Sequence, residues 1–513
     1  MPTIGEYIDH LSRVQGDKVW LISPDTSSQL TYTDLKQCVD EIGRKLDILG
    51  LEKGAKIAYL ANNGGWTAML YFGVMAKGRV IVPLNAVAGS VQLEYVLNHS
   101  DAEVVFVSPE YADKLTPLLD RISRSIEVIV LNEQHGPVWP EEAPGGNRRP
   151  VVNASIPETE DPAMLVYTSG STGLPKGAVL SQRAVAQGGH NVVNGHELTA
   201  NDRALCVLPI YHINGAMVTV AAPLVSGGSV VMPRRFSAST FWPLVAEYQC
   251  TWSSIVPTII KYLLDRVDRE PFDFGADDRL NRFRFARSAS APLPVAVLRQ
   301  WQDVFGVPMM ETLGLTETAG TVASNPMPPR KSKPGSVGLA FGNKIKIIDE
   351  SGADCRPGKA GEIVIRGENL LDHYYKNPAA TDAAFAGDWF RTGDLGLLDE
   401  EGYLFINGRL KELIIRGGEN IAPREIDDVL YKHNSILEAA AVGVDDADYG
   451  QEVVACVVRR DGHQCSEQEL KELCEAAVGK YKSPKRIYFM DDLPKGPSGK
   501  ILRLKLPDLI SSM

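Results

Sequence analysis

The sequence contains few of the residues that hold secreted or metal-bound proteins together. It has seven cysteines in 513 residues, widely spread, and no two of them form a Cys-x-x-Cys pair. An odd, scattered set argues against a disulfide framework and predicts free thiols in a reducing compartment, which indicates the cytoplasm. The nine histidines show no His-x-x-x-His spacing, so we do not expect a structural zinc site. The cysteines are Cys38, Cys206, Cys250, Cys355, Cys456, Cys465 and Cys474.

Long apolar runs and a leader-like start are also lacking. The longest uncharged, apolar-rich stretch covers residues 213–232, and it includes three glycines together with Asn214, Pro223 and Ser226. A buried helix followed by a strand explains this composition better than a membrane span does. The opening residues, Met-Pro-Thr-Ile-Gly-Glu-Tyr, contain no basic region followed by an apolar run, so no signal peptide is expected.

Positive charge is not in excess. The formal net charge is −11, which argues against sequence-independent nucleic-acid binding because such binding needs a basic surface. Hydrophobic residues make up 44% of the chain and charged residues 23%, as in ordinary globular proteins. A chain of 513 residues is too long for a single core, so two or more domains are expected.

The most informative stretch that is present is Tyr-Thr-Ser-Gly-Ser-Thr-Gly-Leu-Pro-Lys-Gly, at residues 167–177. Apolar runs at residues 163–167 and 178–180 predict a strand on either side, and Ser181 is placed to cap a following helix. Glycines allow an anion to approach the backbone closely, and the N–H groups, the hydroxyls and Lys176 can surround phosphate oxygens. The hydroxyls belong to Thr168, Ser169, Ser171 and Thr172.

Two other interpretations of this loop fit less well. A flexible Gly/Ser linker is not expected between two apolar strands. A G-x-x-x-x-G-K-[ST] phosphate loop needs Ser or Thr directly after the lysine and a helix after the loop. In this chain Gly177 follows Lys176 and the loop leads into a strand, so that motif is not matched.

Strand and helix patterns alternate up to about residue 330, which indicates a doubly wound parallel sheet. Predicted strands lie at residues 56–60, 80–83, 104–107, 204–208, 229–232 and 252–256. Predicted helices lie at residues 33–49, 64–76 and 91–96. The segment 133–157 is rich in Pro, Gly, Asn and Glu, and we predict a surface connection there.

The pattern changes after residue 335. Short strands joined by Gly-rich turns, at residues 344–348, 361–366 and 403–406, predict a small β-barrel-like subdomain. Residues 409–513 read as a separate α+β domain of ordinary size. Its predicted elements are strands at 441–444 and 453–458 and a helix at 467–478. The expected fold class is therefore α/β, with doubly wound mixed sheets in a large N-terminal domain.

Residues 167–177 resemble the phosphate-binding motif of the adenylate-forming superfamily, which contains acyl- and aryl-CoA synthetases, peptide-synthetase adenylation domains and beetle luciferases. Six further motifs match it in chain order. The resemblance implies an N-terminal adenylation domain, residues 1–408, and a small mobile C-terminal domain, residues 409–513. It assigns the β- and γ-phosphates of ATP to Lys176 and to the loop residues Thr168, Ser169, Gly170, Ser171, Thr172 and Gly173.

Two of these motifs resemble the acid- and adenine-binding segments of the superfamily. Leu-Pro-Ile-Tyr-His ends a predicted strand, and the resemblance puts His212 beside the carboxylate substrate. Taken alone, His212 reads equally well as a satisfied core histidine. Ser-Ala-Ser-Ala-Pro-Leu-Pro, residues 288–294, resembles the adenine-wall segment, which is usually richer in glycine. Ser290 and Ala291 occupy the glycine positions.

Glu-Thr-Leu-Gly-Leu-Thr-Glu, residues 311–317, resembles the segment that usually reads Tyr-Gly-x-Thr-Glu. Thr316 would hydrogen-bond the α-phosphate or the substrate carboxylate. Glu317 would hold Mg²⁺, a cation that prefers oxygen ligands, and Thr172 is its second implied contact. The implied adenine-side residues are Glu311, Thr312 and Leu313, of which Leu313 replaces the usual aromatic.

Two later motifs resemble the ribose-binding and hinge segments. In Trp-Phe-Arg-Thr-Gly-Asp, the carboxylate of Asp394 suits both ribose hydroxyls, although a turn aspartate after glycine would look the same. In the segment 408–421, Arg409 would also bind ribose or phosphate, and Lys411 matches the hinge. Gly417 and Gly418 match a strand that lines the pantetheine tunnel.

Leu-Pro-Lys-Gly-Pro-Ser-Gly-Lys, residues 493–500, resembles the catalytic lysine motif, in which Lys500 would bridge the carboxylate and the α-phosphate. The implied enzyme is an ATP-dependent carboxylate–CoA ligase: it makes an acyl-adenylate with release of pyrophosphate, then transfers the acyl group to CoA with release of AMP. An acyl-AMP ligase that loads a carrier-protein thiol and a non-catalytic ATP- or AMP-binding regulator stay open, as does a luciferase-type oxygenase.

The acid itself, fatty or aryl, is not fixed by the sequence, nor is the oligomeric state, for which a homodimer is one option. The proposed acid pocket mixes small and apolar residues and offers no charge partner for an α-amino group, so an amino acid is less expected. These residues are Tyr211, His212, Asn214, Gly215, Met217, Val256, Thr321 and Ala323. Candidates for the 3′-phosphate of CoA are Arg416, Lys432 and Lys485.

Overall fold

The computed structural model describes residues 1–140, 156–168, 175–269, 277–496 and 501–511. No helix in these ranges combines the length and the apolar composition that crossing a bilayer requires. The helices are α1 Ile4–Gln15, α2 Tyr32–Ile48, α3 Gly65–Ala76, α4 Ser90–His99, α5 Ala112–Leu119, α6 Gln182–His196, α7 Ala222–Ser226, α8 Phe241–Tyr248, α9 Pro257–Arg269, α10 Val295–Phe305, α11 Pro378–Ala384, α12 Pro423–Leu430, α13 Glu467–Val478 and α14 Leu506–Ser511.

The strands fall into an N-terminal and a C-terminal series. The first is β1 Val19–Ser23, β2 Ser28–Thr31, β3 Lys56–Leu60, β4 Val80–Pro83, β5 Val104–Val107, β6 Glu127–Asn132, β7 Gly136–Val138, β8 Pro162–Thr168, β9 Lys176–Ser181, β10 Arg203–Leu205, β11 Ser229–Val231, β12 Trp252–Ile255, β13 Phe285–Ser288, β14 Met309–Leu315, β15 Gly320–Ser324 and β16 Leu339–Ala340. The second is β17 Asn343–Ile348, β18 Gly361–Gly367, β19 His373–Tyr374, β20 Phe385–Ala386, β21 Trp389–Leu398, β22 Leu404–Arg409, β23 Ile414–Arg416, β24 Glu419–Ile421, β25 Ile436–Asp446, β26 Gly450–Arg459 and β27 Arg486–Phe489.

Two large mixed sheets form the N-terminal part. One has the order β16-β15-β14-β13-β12-β10-β11-β1-β2, and the other has the order β19-β9-β8-β4-β3-β5-β6-β7. Their inner strands pair in parallel, as the alternating pattern predicted, while β8 and β9 form an antiparallel hairpin. The α/β fold class is thereby confirmed.

Helices α3 and α6 occupy the space between the sheets. Helix α6 contacts β8 and β9 of one sheet and β15 of the other. Helix α3 is apolar on all sides, and every residue in it except Trp66 is buried, as expected for a helix covered on all faces. The antiparallel hairpin and the end of β14, which carry two of the predicted motifs, therefore lie over a rigid core.

Side-chain caps fix where several helices begin. Thr31 and Asp34 form a capping box at the start of α2, and Ser466 and Glu469 do the same for α13. The predicted cap at Ser181 is confirmed, because its hydroxyl accepts a hydrogen bond from the backbone N–H of Ala184 at 3.3 Å. This cap ties the end of β9 to the helix between the sheets.

The chain after β16 builds two smaller sheets. One has the order β17-β18-β21-β20, with β22 paired to β21, and it is the curled sheet that the Gly-rich turns predicted. The last has the order β24-β23-β26-β25, with β27 beside β26, and has its own apolar core with α12 and α13. The boundary at residues 408 and 409 falls at the end of β22.

Three local predictions need correction. The predicted surface connection at residues 133–157 contains β7, which extends the sheet beyond β6, while residues 141–155 lie outside the described part. The strand expected to reach residue 208 ends at Leu205. The apolar stretch after residue 213 is a helix followed by a strand as predicted, but its first segment, Asn214–Ala221, is a π-helix. π-Helices are rare in proteins, and those that occur are often found at functional sites.

Candidate functional site

The phosphate-loop candidate closes a hairpin. Thr168 and Lys176 are paired residues at the open ends of β8 and β9, so the loop between them starts and ends at one point of the sheet. The loop residues Ser169, Gly170, Ser171, Thr172 and Gly173 lie outside the described residues. Lys176 is described, and its Nζ lies 4.8 Å from the centroid of the Tyr374 ring. That distance is typical of a cation–π contact.

Glu317 lies on a short 3-10 turn, Thr316–Thr318, directly after β14. The Tyr374 hydroxyl donates to Oε1 of Glu317 at 2.9 Å. The backbone of this turn is also held, because the N–H of Leu371 donates to the Glu317 carbonyl at 2.7 Å and Asn369 Nδ2 donates to the Thr318 carbonyl at 2.5 Å. The carboxylate of Glu317 therefore has a fixed position near the hairpin.

Tyr374 contacts both of these candidates, although no motif in the sequence identified it. It lies on the two-residue strand β19, opposite Ala178 of β9, with 6% of its surface exposed. Burial, and secondarily the charge of Glu317, raise the pKa of Tyr374 above its ordinary value. The phenol therefore stays protonated and donates to the carboxylate, while its ring contacts the ammonium of Lys176. A strand of two residues has no periodicity that could have shown this placement.

The predicted ribose pair is brought together. Asp394 of β21 and Arg409 of β22 are direct cross-strand partners, and Arg409 Nε lies 2.8 Å from Asp394 Oδ1. Asp394 is buried and belongs to a long strand, so the alternative of a turn aspartate is wrong. The cation orients the carboxylate at the edge of the curled sheet.

The adenine-wall segment has an unusual backbone. Ser290 has a φ of +71°, a conformation that glycine adopts readily and other residues adopt rarely. This φ suits the glycine that the resembling adenine-wall motif was expected to have there. The Ser290 hydroxyl accepts a hydrogen bond from Asn214 Nδ2 at 3.2 Å, and Ser254 donates to Asn214 Oδ1 at 2.8 Å. These bonds join the segment to the start of the π-helix.

Seven of the predicted nucleotide residues line a single cavity of about 530 Å³, which lies between the N-terminal part and α12. They come from four of the predicted motifs and are Ser290, Ala291, Glu311, Thr312, Leu313, Asp394 and Arg409. Of these, Glu311 is buried, and burial raises its pKa to about 7. The N–H of Gly335 donates to Glu311 Oε2 at 2.8 Å, so this side chain holds the neighbouring loop. Leu313 offers an apolar face, as expected.

His212 is packed against Tyr211, with the ring centroids 4.7 Å apart. Its Nε2 is buried and has no hydrogen-bond partner among the described residues. Burial lowers the pKa of His212 to about 4, so the imidazole is neutral at physiological pH. Within the described part of the chain, His212 is therefore not a core histidine with both ring nitrogens satisfied, and its position beside the acid stays a prediction.

The hinge segment differs from the prediction at one point. Lys411 lies on a 3-10 turn, Leu410–Glu412, after β22. Gly417 and Gly418, predicted to lie in a strand, instead form the two-residue turn between β23 and β24. Their φ angles are +55° and +87°. A two-residue hairpin turn with positive φ at both positions favours glycine, so the turn geometry accounts for both residues.

The catalytic-lysine candidate Lys500 lies outside the described residues. Among the CoA-phosphate candidates, Arg416 donates to Glu452 Oε2 at 2.9 Å and packs on two tyrosine rings, and Lys485 pairs with Asp446 at 3.3 Å. Lys432 lines the cavity. All seven cysteines are free, as expected.

Comparison with known proteins decides the family. Residues 8–375 match the family described as AMP-binding enzyme, and residues 425–500 match the AMP-binding enzyme C-terminal domain. The chain belongs to the AMP-binding enzyme family. It is an ATP-dependent carboxylate–CoA ligase, which forms an acyl-adenylate and then transfers the acyl group to CoA.

Similar proteins share nearly the whole length. A sulfoacetate–CoA ligase of Cupriavidus necator is 44% identical over 500 residues, covering 96% of this chain and 94% of that protein. An oxalate–CoA ligase of Arabidopsis thaliana is 34% identical, covering 92% of each. The crystal structure of ATP-bound MatB from Rhodopseudomonas palustris has a TM-score of 0.88 at 29% identity, covering 99% of this chain and all of that one.

Proposed function

We propose that the cavity of about 530 Å³ binds ATP and the acid, with Asp394 and Arg409 at the ribose and Ser290, Ala291 and Leu313 at the adenine. The observation that carries this assignment is the convergence of four separate predicted motifs on one cavity. The ion pair at 2.8 Å supports the ribose role, because Arg409 holds the carboxylate in one orientation.

The first half reaction joins two anions, so its main requirement is to position them and offset their repulsion. Lys176 and the loop 168–173 hold the β- and γ-phosphates in this proposal, and Lys500 and Thr316 act at the α-phosphate and the carboxylate. The turn that carries Thr316 is fixed by backbone hydrogen bonds, which suits a positioning role. Neutral His212 contacts the acid.

Mg²⁺ is the cation that we propose for Glu317. No cluster of three or more metal-binding side chains exists among the described residues. Mg²⁺ in nucleotide sites is held by one or two carboxylates together with phosphate oxygens and water, and the fixed carboxylate of Glu317 fits that donor set. When bound, the ion neutralises charge on the phosphates.

The second half reaction requires the acyl-adenylate to meet the CoA thiol. We infer that residues 409–513 act as a domain that turns about Lys411, so that Lys500 leaves the site and the turn at Gly417 and Gly418 enters it. Helix α12 forms one wall of the cavity, and its Arg424 NH1 donates to the Ile406 carbonyl of the N-terminal part at 2.7 Å. The proposed rotation would break this hydrogen bond.

The similar proteins act on sulfoacetate and on oxalate, both of which are short and carry a second anionic group. We propose an acid of that kind for this chain. The free cysteines support a reducing location such as the cytoplasm.

Carboxylate-dependent ATP–pyrophosphate exchange tests the proposal over short acids with a second anionic group, simple short acids, fatty acids and aryl acids. We expect exchange with the first class and thioester formation once CoA is added. Exchange only with fatty or aryl acids would refute the acid class. Exchange without use of CoA would indicate a carrier-protein thiol as acceptor.

A further inference from the structure

An arginine without a carboxylate partner is buried beside the proposed site. Arg287, on β13, has 1% of its surface exposed. Its NH1 donates to Thr321 Oγ1 at 3.0 Å and its NH2 donates to Thr312 Oγ1 at 2.5 Å. Within the part of the chain that the structure describes, no Asp or Glu lies within ion-pair distance of this guanidinium, and its Nε has no acceptor.

Such an arrangement is costly for the free protein. A buried charge is normally paired, because two neutral hydroxyls do not replace the hydration of a guanidinium. Burial lowers the pKa of Arg287 to about 9, far below the ordinary value for arginine. His196 lies close enough that burial, and after it the charge of Arg287, lower the pKa of His196 well below its ordinary value. The surroundings of Arg287 therefore lack negative charge.

Other buried arginines of this chain show what a structural role looks like. Arg79, also 1% exposed, pairs with Asp47 at 2.5 Å and donates to two carbonyls. Arg503 pairs with Asp427 at 2.5 Å. Arg287 differs from both, since only hydroxyl groups accept from it. A ligand anion would supply the missing charge.

Arg287 lies directly behind residues that line the proposed acid and nucleotide cavity. Thr312, which accepts from NH2, lines that cavity, and so does Ser288, the residue after Arg287. The Thr312 hydroxyl also donates to the Ser288 carbonyl at 3.2 Å. The Thr312 side chain therefore contacts the guanidinium and also lines the cavity, so a substrate group that reaches past Thr312 would meet Arg287.

We propose that Arg287 binds the second anionic group of the acid and thereby selects short acids that carry one. This inference rests on the proposed function and adds the residue that discriminates. The planar fork of a guanidinium matches two oxygens of a carboxylate or a sulfonate. Thr312 and Thr321 hold the fork in place on either side. A neutral acid of the same shape would leave the buried charge without a partner.

Matched acids test this directly in the full-length protein. Sulfoacetate and tert-butylacetate have the same shape and differ in charge at the far end. In ATP–pyrophosphate exchange, we expect the wild type to have a higher kcat/KM for sulfoacetate than for tert-butylacetate. Arg287→Gln should lower kcat/KM for sulfoacetate about 10- to 100-fold, because it removes hydrogen bonds to a charged group. The tert-butylacetate value should stay equal or rise. Arg287→Lys should retain part of the preference.

Arg79→Gln is the matched control, because it removes an equally buried arginine and should destabilise the protein without changing the acid preference. Equal losses for both acids in Arg287→Gln would overturn the inference and leave the ligase proposal standing. If Arg287→Gln does not fold, the wild-type ratio decides: equal use of the two acids, or preference for tert-butylacetate, overturns the inference. Exchange with no acid at all would overturn both proposals.

Discussion

The contact between Tyr374 and Glu317 gives the sharpest prediction. Tyr374→Phe removes the hydroxyl that donates to Glu317 at 2.9 Å and keeps the ring that contacts Lys176. A hydrogen bond to a charged acceptor contributes about 1.5–3 kcal/mol, which corresponds to about 10- to 100-fold in an equilibrium constant. Loss of a partner that orients a metal-binding carboxylate has an effect of the same size on metal affinity or activity. We therefore expect a higher Mg²⁺ requirement for adenylation.

The assay is ATP–pyrophosphate exchange measured as a function of Mg²⁺ concentration. Tyr375→Phe is the matched control, because the neighbouring tyrosine donates to Asp101 Oδ2 at 2.8 Å and does not contact Glu317 or Lys176 in the described structure. Tyr374→Leu should lose more than Tyr374→Phe, since a cation–π contact contributes about 0.5–2 kcal/mol. If Tyr374→Phe and Tyr375→Phe have the same Mg²⁺ dependence, the assignment of Glu317 to the metal is wrong.

Three further predictions follow from the proposed roles. Lys500→Ala should lower adenylation about 100- to 1,000-fold, as removal of a transition-state donor does, yet still convert a supplied acyl-adenylate to thioester; equal loss of both steps would contradict the assignment. Lys411→Pro, which fixes φ at the hinge, should reduce thioester formation more than adenylation when the two half reactions are assayed separately. Burial lowers the pKa of His212 from 6.5 to about 4. On acidification His212 is therefore protonated in the unfolded chain before it is protonated in the folded chain. The free energy of unfolding should fall between pH 6.5 and pH 4, by about 3 kcal/mol at most. In urea unfolding at pH 7 and pH 4, His212→Gln should lose less stability on acidification than the wild type; an equal loss would place the effect elsewhere.

Much of the fold was predictable because local signals and tertiary structure agree. The hairpin that carries the phosphate loop follows from two apolar runs, and the cap at Ser181 follows from one hydroxyl before an amphipathic run. Helix α13 begins and ends at the predicted residues because Ser466 and Glu469 form a capping box and Gly479 follows its end. The cavity residues were found through motif resemblance, since no periodicity relates Ser290 to Asp394.

The misses have different physical causes. Strand β7 forms a short local hairpin with β6, but its sequence, Gly-Pro-Val, has no strand pattern and looks like a connection. Tyr374 meets Glu317 across 57 residues, and no local pattern announces that contact. Gly417 and Gly418 were predicted to lie in a strand, but they form a turn with positive φ angles, and φ cannot be read from the sequence.

Arg287 shows why burial and charge must be considered together. In the sequence it stands in the run Phe-Ala-Arg-Ser, where one arginine among small and apolar residues predicts nothing about its partner. In the fold it is as buried as Arg79, so burial alone would assign both to structure. The charge of Arg79 is balanced by the carboxylate of Asp47 whether or not a ligand is bound. Among the residues that the structure describes, Arg287 donates only to the neutral hydroxyls of Thr312 and Thr321, so its charge is not balanced by them. A neutral side chain could hydrogen-bond β14 and β15 from β13 without the desolvation penalty of a buried charge, which lowers the stability of the fold. The positive charge is therefore explained by an anion that arrives with the substrate, at the wall shared with Thr312.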